Sequence, residues 1–125
     1  MENKNLKISE AEMEIMKIVW PSSEEITTND ILNYLPKDNS WKLTTVLTLA
    51  SRLVKKGILK IDKRGKTNFY TEVMSEEEYK EVQSRVFLEE MHNGSIKSFI
   101  ATLYNGKKVN KKDLEELREW FLEEK

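Results

Sequence analysis

Hydrophobic residues recur at helical spacing near the start of the chain, between two clear boundary signals. Ser9 and Glu12 form a capping-box pattern, in which each side chain satisfies a backbone N–H of the other residue. Apolar residues then follow three and four positions apart until Pro21, whose ring disfavours helical geometry in the residue before it. The pattern predicts a first helix from about Glu10 to Val19.

Two further helical segments follow, and polar turns separate them. Thr27 or Thr28 can cap a short second helix, which Pro36 ends. Helical spacing resumes from about Leu43 to Lys56, and Gly57 stands just past that segment, where a left-handed residue commonly terminates a helix. We therefore predict three helices before any extended pattern of comparable length.

The spacing then changes from helical to extended. Residues Ile58 to Lys63 and Thr67 to Val73 are two β-prone runs around the turn Arg64-Gly65-Lys66, so they predict a hairpin with a basic tip. Alternate residues of the first run are apolar, so one face of the hairpin can pack on the helices. At Ile26, between the first two helices, we expect a very short strand.

Amphipathic helical patterns return in the C-terminal region. A capping-box pattern at Ser75 opens a helix that runs to about His92. Apolar residues from Ile96 to Leu103 follow helical spacing, and Asn110 can cap a last helix. These three helices are not expected to form a core of their own, so their apolar faces must be buried against something else. We expect them to pack against a second copy of the chain. The alternative is that they fold back on the rest of the same chain.

Charge is distributed unevenly although the formal net charge is only −1. Residues 37–67 contain nine lysines and arginines against Asp38 and Asp62, whereas acidic residues predominate in the remainder. A protein that neutralises phosphates needs its cations gathered where the nucleic-acid backbone passes. A solvated charged face would give the same local excess, so the positions of these cations decide between the two interpretations.

Three helices followed by a hairpin with a basic tip is the order of a winged helix-turn-helix. A helix fits the major groove of DNA, and a hairpin tip can lie along phosphates or enter the minor groove. Thr44 and Thr45 could alternatively serve only to cap the third helix. The predicted DNA-binding residues are Lys42, Thr44, Thr45, Leu47, Thr48, Ser51, Arg52, Lys55, Lys56, Lys63, Arg64 and Lys66.

The predicted fold class is mainly α with a small β-hairpin: a winged helix-turn-helix joined to a C-terminal three-helix dimerisation arm. We predict a DNA-binding domain over residues 1–74 and a helical dimerisation domain over residues 75–125. A two-fold dimer would present two recognition helices to a palindromic site. The predicted dimer interface comprises Tyr79, Val82, Val86, Phe99, Ile100, Leu103, Leu114, Leu117 and Phe121.

Enzyme and metal-sensor functions find little support in the residues. The chain has no cysteine and one histidine, His92, for which a solvated or capping role near a helix end is expected. It lacks a glycine-rich phosphate loop and a histidine–carboxylate metal motif. We predict a non-enzymatic protein with no cofactor and no metal. A winged-helix module that binds proteins without binding DNA remains the alternative.

Localisation is predicted from two further features of the sequence. No apolar run approaches the ~20 residues of a membrane span. The N-terminal segment MENKNLKISEAE also lacks the apolar stretch of a signal peptide. We therefore expect a cytoplasmic protein with no direct membrane insertion.

Four segments of the chain resemble those of the BlaI/MecI family, the bacterial penicillinase and methicillin-resistance repressors. They are ISEAEMEIMKIVW (Ile8 to Trp20), TTVLTLASRLVKKG (Thr44 to Gly57), FYTEV (Phe69 to Val73) and DLEELREWF (Asp113 to Phe121). The resemblance covers nearly the whole length. It implies a homodimeric repressor that binds palindromic operators and is connected with antibiotic resistance.

The resemblance also implies a route of derepression and some divergence from its relatives. In antibiotic-responsive members, a membrane-bound sensor metalloprotease triggers cleavage within the dimerisation arm. The corresponding bond here is Thr102-Leu103, where those members have Asn-Phe. Thr44 and Leu47 stand where the methicillin-type repressors have basic residues, so a different operator sequence is expected.

Overall fold

The computed structural model describes residues 7–124 as six helices and three short strands. Residues 1–6 and 125, which belong to the two predicted domains, lie outside the described residues. In chain order the elements are α1 (Glu10–Val19), β1 (Ile26–Thr27), α2 (Thr28–Tyr34), α3 (Leu43–Lys55), β2 (Leu59–Arg64), β3 (Thr67–Glu72), α4 (Glu76–His92), α5 (Ile96–Asn105) and α6 (Lys111–Glu123).

Side-chain caps explain where most of the helices begin. Before α1, the Ser9 Oγ accepts from the Glu12 N–H at 3.1 Å, and the Glu12 carboxylate accepts from the Ser9 N–H at 2.9 Å. Reciprocal boxes of this kind also stand at Thr27, Ser75 and Asn110. Each box satisfies two of the backbone donors that a helix N-terminus leaves without an intrahelical partner. The predicted capping signals are confirmed.

The strands form one small antiparallel sheet in the order β1-β3-β2. Strands β2 and β3 pair from Leu59 opposite Glu72 to Arg64 opposite Thr67, which leaves a two-residue turn of Gly65 and Lys66. Gly65 has φ 62°, a left-handed conformation that glycine adopts without a steric penalty. The predicted hairpin is confirmed, but Arg64 belongs to a strand rather than to the turn.

The hydrophobic core lies between the three N-terminal helices and the inner face of this sheet. Its fully buried side chains come from every one of these helices and from both long strands. The largest apolar ones are Ile15, Met16, Ile31, Val46, Leu53, Ile58, Leu59 and Tyr70. Because α3 packs on α1, α2 and β2 through this core, its buried side is fixed and its opposite side faces solvent.

The chain forms two compact units, which divide between Gln83 and Ser84 inside α4. The first unit therefore extends beyond residue 74, because Tyr79 belongs to its core. The Tyr79 hydroxyl accepts from the Ile8 N–H at 2.7 Å, and its ring lies 5.8 Å from that of Trp20. Only 7% of Tyr79 is exposed, so we withdraw it from the predicted dimer interface.

The second unit, from Ser84 onward, buries little of its apolar surface. Helices α5 and α6 contain no buried residue in the part of the chain that the structure describes. Phe87, His92 and Phe99 form an aromatic cluster, and the His92 Nδ1 lies 2.9 Å from the Ser98 Oγ. The exposed large apolar residues of this unit are Phe87, Met91, Ile96, Tyr104, Leu117, Trp120, Phe121 and Leu122.

Candidate nucleic-acid interface

Helix α3 carries a continuous row of polar side chains on its outward side. Thr44, Thr48, Ser51 and Lys55 are spaced four, three and four residues apart, so they fall on one line along the helix, and all four are exposed. The opposite line is buried and consists of Val46, Leu49, Ala50 and Leu53. The helix therefore presents a polar surface whose orientation is set by the core.

The N-terminus of α3 has no side-chain cap. Its N-cap residue is Lys42, whose side chain makes no capping hydrogen bond. Thr44 and Thr45 lie inside the helix rather than at the cap position, so the interpretation that they only cap α3 is excluded. The Thr45 N–H donates to the Lys42 carbonyl oxygen at 3.0 Å, so the first-turn groups that remain available to an anion such as a phosphate are the N–H groups of Leu43 and Thr44.

The hydroxyl of Thr48 has a defined polarity. Its Oγ1 donates to the Thr44 carbonyl oxygen at 3.0 Å, one turn earlier in the helix. Because the single hydroxyl proton is used within the helix, the oxygen faces outward as a hydrogen-bond acceptor. An acceptor there suits the exocyclic amino group of adenine or cytosine in the major groove.

Three more of the predicted residues flank this row. Thr45 and Leu47 are half-buried, whereas Arg52 is exposed. A shallow surface recess of about 260 Å³ runs along the same side. Its lining residues are Thr44, Thr45, Thr48, Leu49 and Arg52. The recess gives this face a shape into which a base edge or a thymine methyl group can fit.

The wing places two exposed cations around its turn, Lys63 and Lys66. Lys63 stands opposite Asn68 in the hairpin, and Lys66 is the second residue of the turn. Their ammonium groups make no salt bridge with any of residues 7–124. Both can therefore approach a phosphate without first leaving a protein partner.

The third wing cation, Arg64, is fully engaged with acidic side chains. Its Nη1 and Nη2 donate to the two carboxylate oxygens of Glu25 at 2.7 and 2.8 Å, and its Nε donates to Asp62 at 2.8 Å. The guanidinium carbon also lies 4.3 Å from the centre of the Phe69 ring. The hydrogen bonds to Glu25 and then Asp62 raise the pKa of Arg64 above its ordinary value.

Lys56, also predicted to bind DNA, has a different role in the structure. Its ammonium donates to the buried Glu12 carboxylate of α1 and to the Lys7 carbonyl oxygen, the latter at 2.8 Å. Burial alone would raise the pKa of Glu12, but hydrogen bonds from Lys56 and from the Ser9 N–H outweigh it and hold that pKa below its ordinary value. We therefore remove Lys56 from the predicted DNA contacts, because it neutralises a buried charge.

The residues predicted for the dimer interface differ in how much surface they retain. Val86 is buried in the single chain, while Leu117 and Phe121 are exposed. Half-buried positions are Val82, Phe99, Ile100, Leu103 and Leu114. Both residues of the predicted cleavage bond lie on α5, where Thr102 is exposed and donates its hydroxyl to the Ser98 carbonyl oxygen at 2.9 Å.

Sequence reasoning missed the acidic partners of the two engaged cations. The sequence pattern identifies Glu12 only as a capping residue, and no pattern singles out Glu25. Each lies about 40 residues from its partner, with separations of 44 and 39 positions, so no local pattern connects them. The one local signal was Asp62, which lies two residues before Arg64 on the same strand.

The described residues contain neither a metal site nor a membrane-spanning helix. Within residues 7–124 there is no cluster of three histidine, cysteine, aspartate or glutamate side chains that could hold a metal ion. Over the same residues, no helix is both long and apolar enough to cross a bilayer.

A helix that presents polar side chains outward, followed directly by a cationic hairpin, defines the class of winged-helix DNA-binding proteins. The particular family follows from comparison: the chain belongs to the penicillinase repressor family, which matches residues 8–123. Its members are transcriptional repressors and not enzymes. The family and the fold predicted from the sequence are confirmed.

Individual relatives resemble the chain over most of its length. It is 34% identical to the penicillinase repressor of Bacillus licheniformis over 119 residues, which cover 95% of this chain and 92% of that protein. It is 30% identical to the methicillin resistance regulatory protein MecI of Mammaliicoccus sciuri, with coverage of 94% and 95%. The solution structure of the DNA binding domain of the repressor BlaI superposes with a TM-score of 0.52 at 39% identity and covers 63% of this chain and 94% of that domain.

Proposed function

We propose that the chain is a homodimeric transcriptional repressor that recognises a palindromic DNA operator through α3 and the wing. The observation that carries the proposal is the exposed row Thr44, Thr48, Ser51 and Lys55 on a helix whose opposite side is core. A reading helix needs this arrangement, because its contacts are useful only when the fold fixes their direction. Membership of a repressor family supports the same conclusion.

The residues of the interface divide into two groups by chemistry. Hydroxyls at Thr44, Thr48 and Ser51 can exchange hydrogen bonds with base edges, and such contacts carry sequence information. Cations contribute affinity that depends little on sequence, because every phosphate presents the same charge. The cations proposed to contact phosphate are Lys42, Arg52, Lys55, Lys63 and Lys66.

Two substitutions on α3 separate these groups. We expect Arg52→Ala to weaken binding to operator and scrambled duplexes alike, by about tenfold, because it removes a charge-assisted contact to phosphate. The slope of log K against log salt should become shallower by about 0.9 per protomer. Thr48→Val, which removes the acceptor but keeps the shape, should lower affinity for the operator by about fivefold per half-site and leave scrambled DNA unaffected.

Fluorescence anisotropy with labelled duplexes at several salt concentrations measures both effects. Lys17→Ala is the matched control, because it removes an exposed cation on α1 outside the proposed interface. Equal losses on operator and scrambled DNA from Thr48→Val would contradict the base-reading role. Failure of the unaltered protein to prefer its own promoter region would favour the protein-interaction module instead.

The proposed dimer rests on the apolar surface of the second unit. Several large hydrophobic residues there are exposed in the single chain, and α5 and α6 bury none of theirs completely. Large apolar residues that stay exposed in one unit of a chain are typical of a surface that binds another protein. A second copy of the same chain satisfies it and also supplies the second reading helix that a palindrome requires.

We further propose that derepression follows cleavage between Thr102 and Leu103, triggered by a membrane-bound sensor metalloprotease. The support is the family resemblance together with the weak anchoring of α5, a ten-residue helix without a buried residue. A protease needs an extended substrate, and a short helix with few buried contacts unwinds at low cost. The same proposal places the protein in the cytoplasm, where the operator is found.

Cleavage at this bond predicts a specific fragment. Intact-mass spectrometry of the protein recovered from its native cells after β-lactam exposure should show a species that ends at Thr102. Untreated cells provide the control, and the operator affinity of the clipped protein should fall to that of a monomer. Release of DNA by a chain that stays full-length would refute the proteolytic route without contradicting the proposal that the protein binds an operator.

A further inference from the structure

The hydrogen bonds of Arg64 use each donor-bearing side of its guanidinium group. Glu25 accepts from both terminal nitrogens in a bidentate pair, and Asp62 accepts from the Nε. Phe69 lies against the guanidinium at 4.3 Å. Asp62 lies at the Nε–Nη2 edge, so a phosphate that binds Arg64 in a bidentate manner through Nη1 and Nη2 meets the edge that Glu25 occupies.

We propose that Glu25 is an internal competitor for DNA: its carboxylate holds the phosphate-binding group of Arg64 and must be exchanged for a phosphate when the wing meets the duplex. The inference rests on the proposed function, since it concerns the same wing. Glu25 then lowers DNA affinity although it lies outside the reading helix, and Arg64 is the one wing cation whose contact with phosphate carries this cost. Lys63 and Lys66 carry no such cost.

Exposure of all three side chains makes the exchange possible. The side chains of Arg64, Glu25 and Asp62 are 49%, 38% and 53% exposed, so no core contact has to break when the guanidinium turns away. Asp62 stands on the same strand and can keep the Nε oriented after Glu25 is released. The competing carboxylate belongs to the loop before β1, which is a separate segment of the chain.

Glu25→Gln tests the competition directly, and Glu24→Gln is its matched control. Both variants remove one negative charge from the same loop, but the Glu24 hydrogen bonds to Ser22 run through the backbone and its carboxylate has no salt bridge within residues 7–124. We expect Glu25→Gln to bind operator duplex about two- to fivefold tighter than Glu24→Gln. This gain corresponds to the small free energy of the exposed ion pair that no longer has to be broken.

A double-mutant cycle with Arg64→Ala distinguishes competition from a structural connection. If Glu25 competes, Arg64→Ala costs more affinity in the Glu25→Gln background than in the unaltered protein, because the arginine contributes its full phosphate contact only there. If the pair only holds the wing to the loop, Glu25→Gln weakens binding or leaves it unchanged, and the proposal is overturned. Absence of DNA binding by the unaltered protein would instead overturn the proposed function.

Discussion

Replacing Trp120 and Phe121 together with alanine is expected to raise the dimer dissociation constant about a thousandfold, or about 4 kcal/mol. These adjacent α6 residues are 52% and 58% exposed in the single chain. Each buried aromatic removes roughly 150–250 Å² from water, and a two-fold interface loses both residues from both protomers. Sedimentation equilibrium over a concentration series measures the change.

Tyr34→Ala is the control for this variant. Tyr34 is 69% exposed but lies on α2 in the first unit, so its loss removes an aromatic side chain of equal or greater exposure outside the arm. The control should dimerise like the unaltered protein. A monomer in both the variant and the unaltered protein would contradict the dimer proposal, because the arm would then have no partner to lose.

The same double variant should bind an isolated half-site normally and the full palindrome poorly. Dimerisation makes the second half-site contact intramolecular, so its loss removes the gain from a high effective concentration. The winged unit itself is unchanged, because α3 and the wing draw their core from residues before Ser84. Equal losses of affinity for the half-site and for the palindrome would mean that the arm affects the reading helix itself and not dimerisation.

Local signals were sufficient to predict most of the element boundaries. The α1 helix begins and ends at Glu10 and Val19 as predicted, because its cap and the following proline are both short-range constraints. The α3 helix ends one residue earlier than predicted, at Lys55, since Lys56 is its C-cap and Gly57 takes φ 79°. Capping chemistry and hydrophobic spacing therefore fixed this part of the fold.

The candidate site was less predictable, because the tertiary structure determines which acidic side chain pairs with each cation. The exposed row on α3 follows from helical periodicity, and all four of its residues are among those predicted to bind DNA. Lys56 and Arg64 carry the same charge as Lys63, but only the fold shows that they face Glu12 and Glu25. Arg64 was predicted in the turn, whereas it is the last residue of β2.

Removing one partner of the buried pair between Glu12 and Lys56 should markedly destabilise the first unit. Glu12 is 2% exposed and the Lys56 side chain 24% exposed, so Lys56→Met leaves a carboxylate buried without its cation. We expect a loss of about 3 kcal/mol in the free energy of unfolding, as measured by urea denaturation. Lys55→Met, which changes the exposed neighbour, is the matched control, and its free energy of unfolding should be close to that of the unaltered protein.

Combining Lys56→Met with Glu12→Gln, and varying the pH, tests whether the buried charge causes the loss of stability. Glu12→Gln combined with Lys56→Met should recover much of the stability lost by Lys56→Met, because no unpaired buried charge remains. The pKa of Glu12 lies below its ordinary value of 4.5, so its ionised form contributes stability above pH 4.5 that is lost as pH falls through its lowered value. Glu12→Gln should abolish that part of the acid sensitivity. An unchanged acid transition in Glu12→Gln, or a double variant as unstable as Lys56→Met, would show that packing and not charge determines the loss.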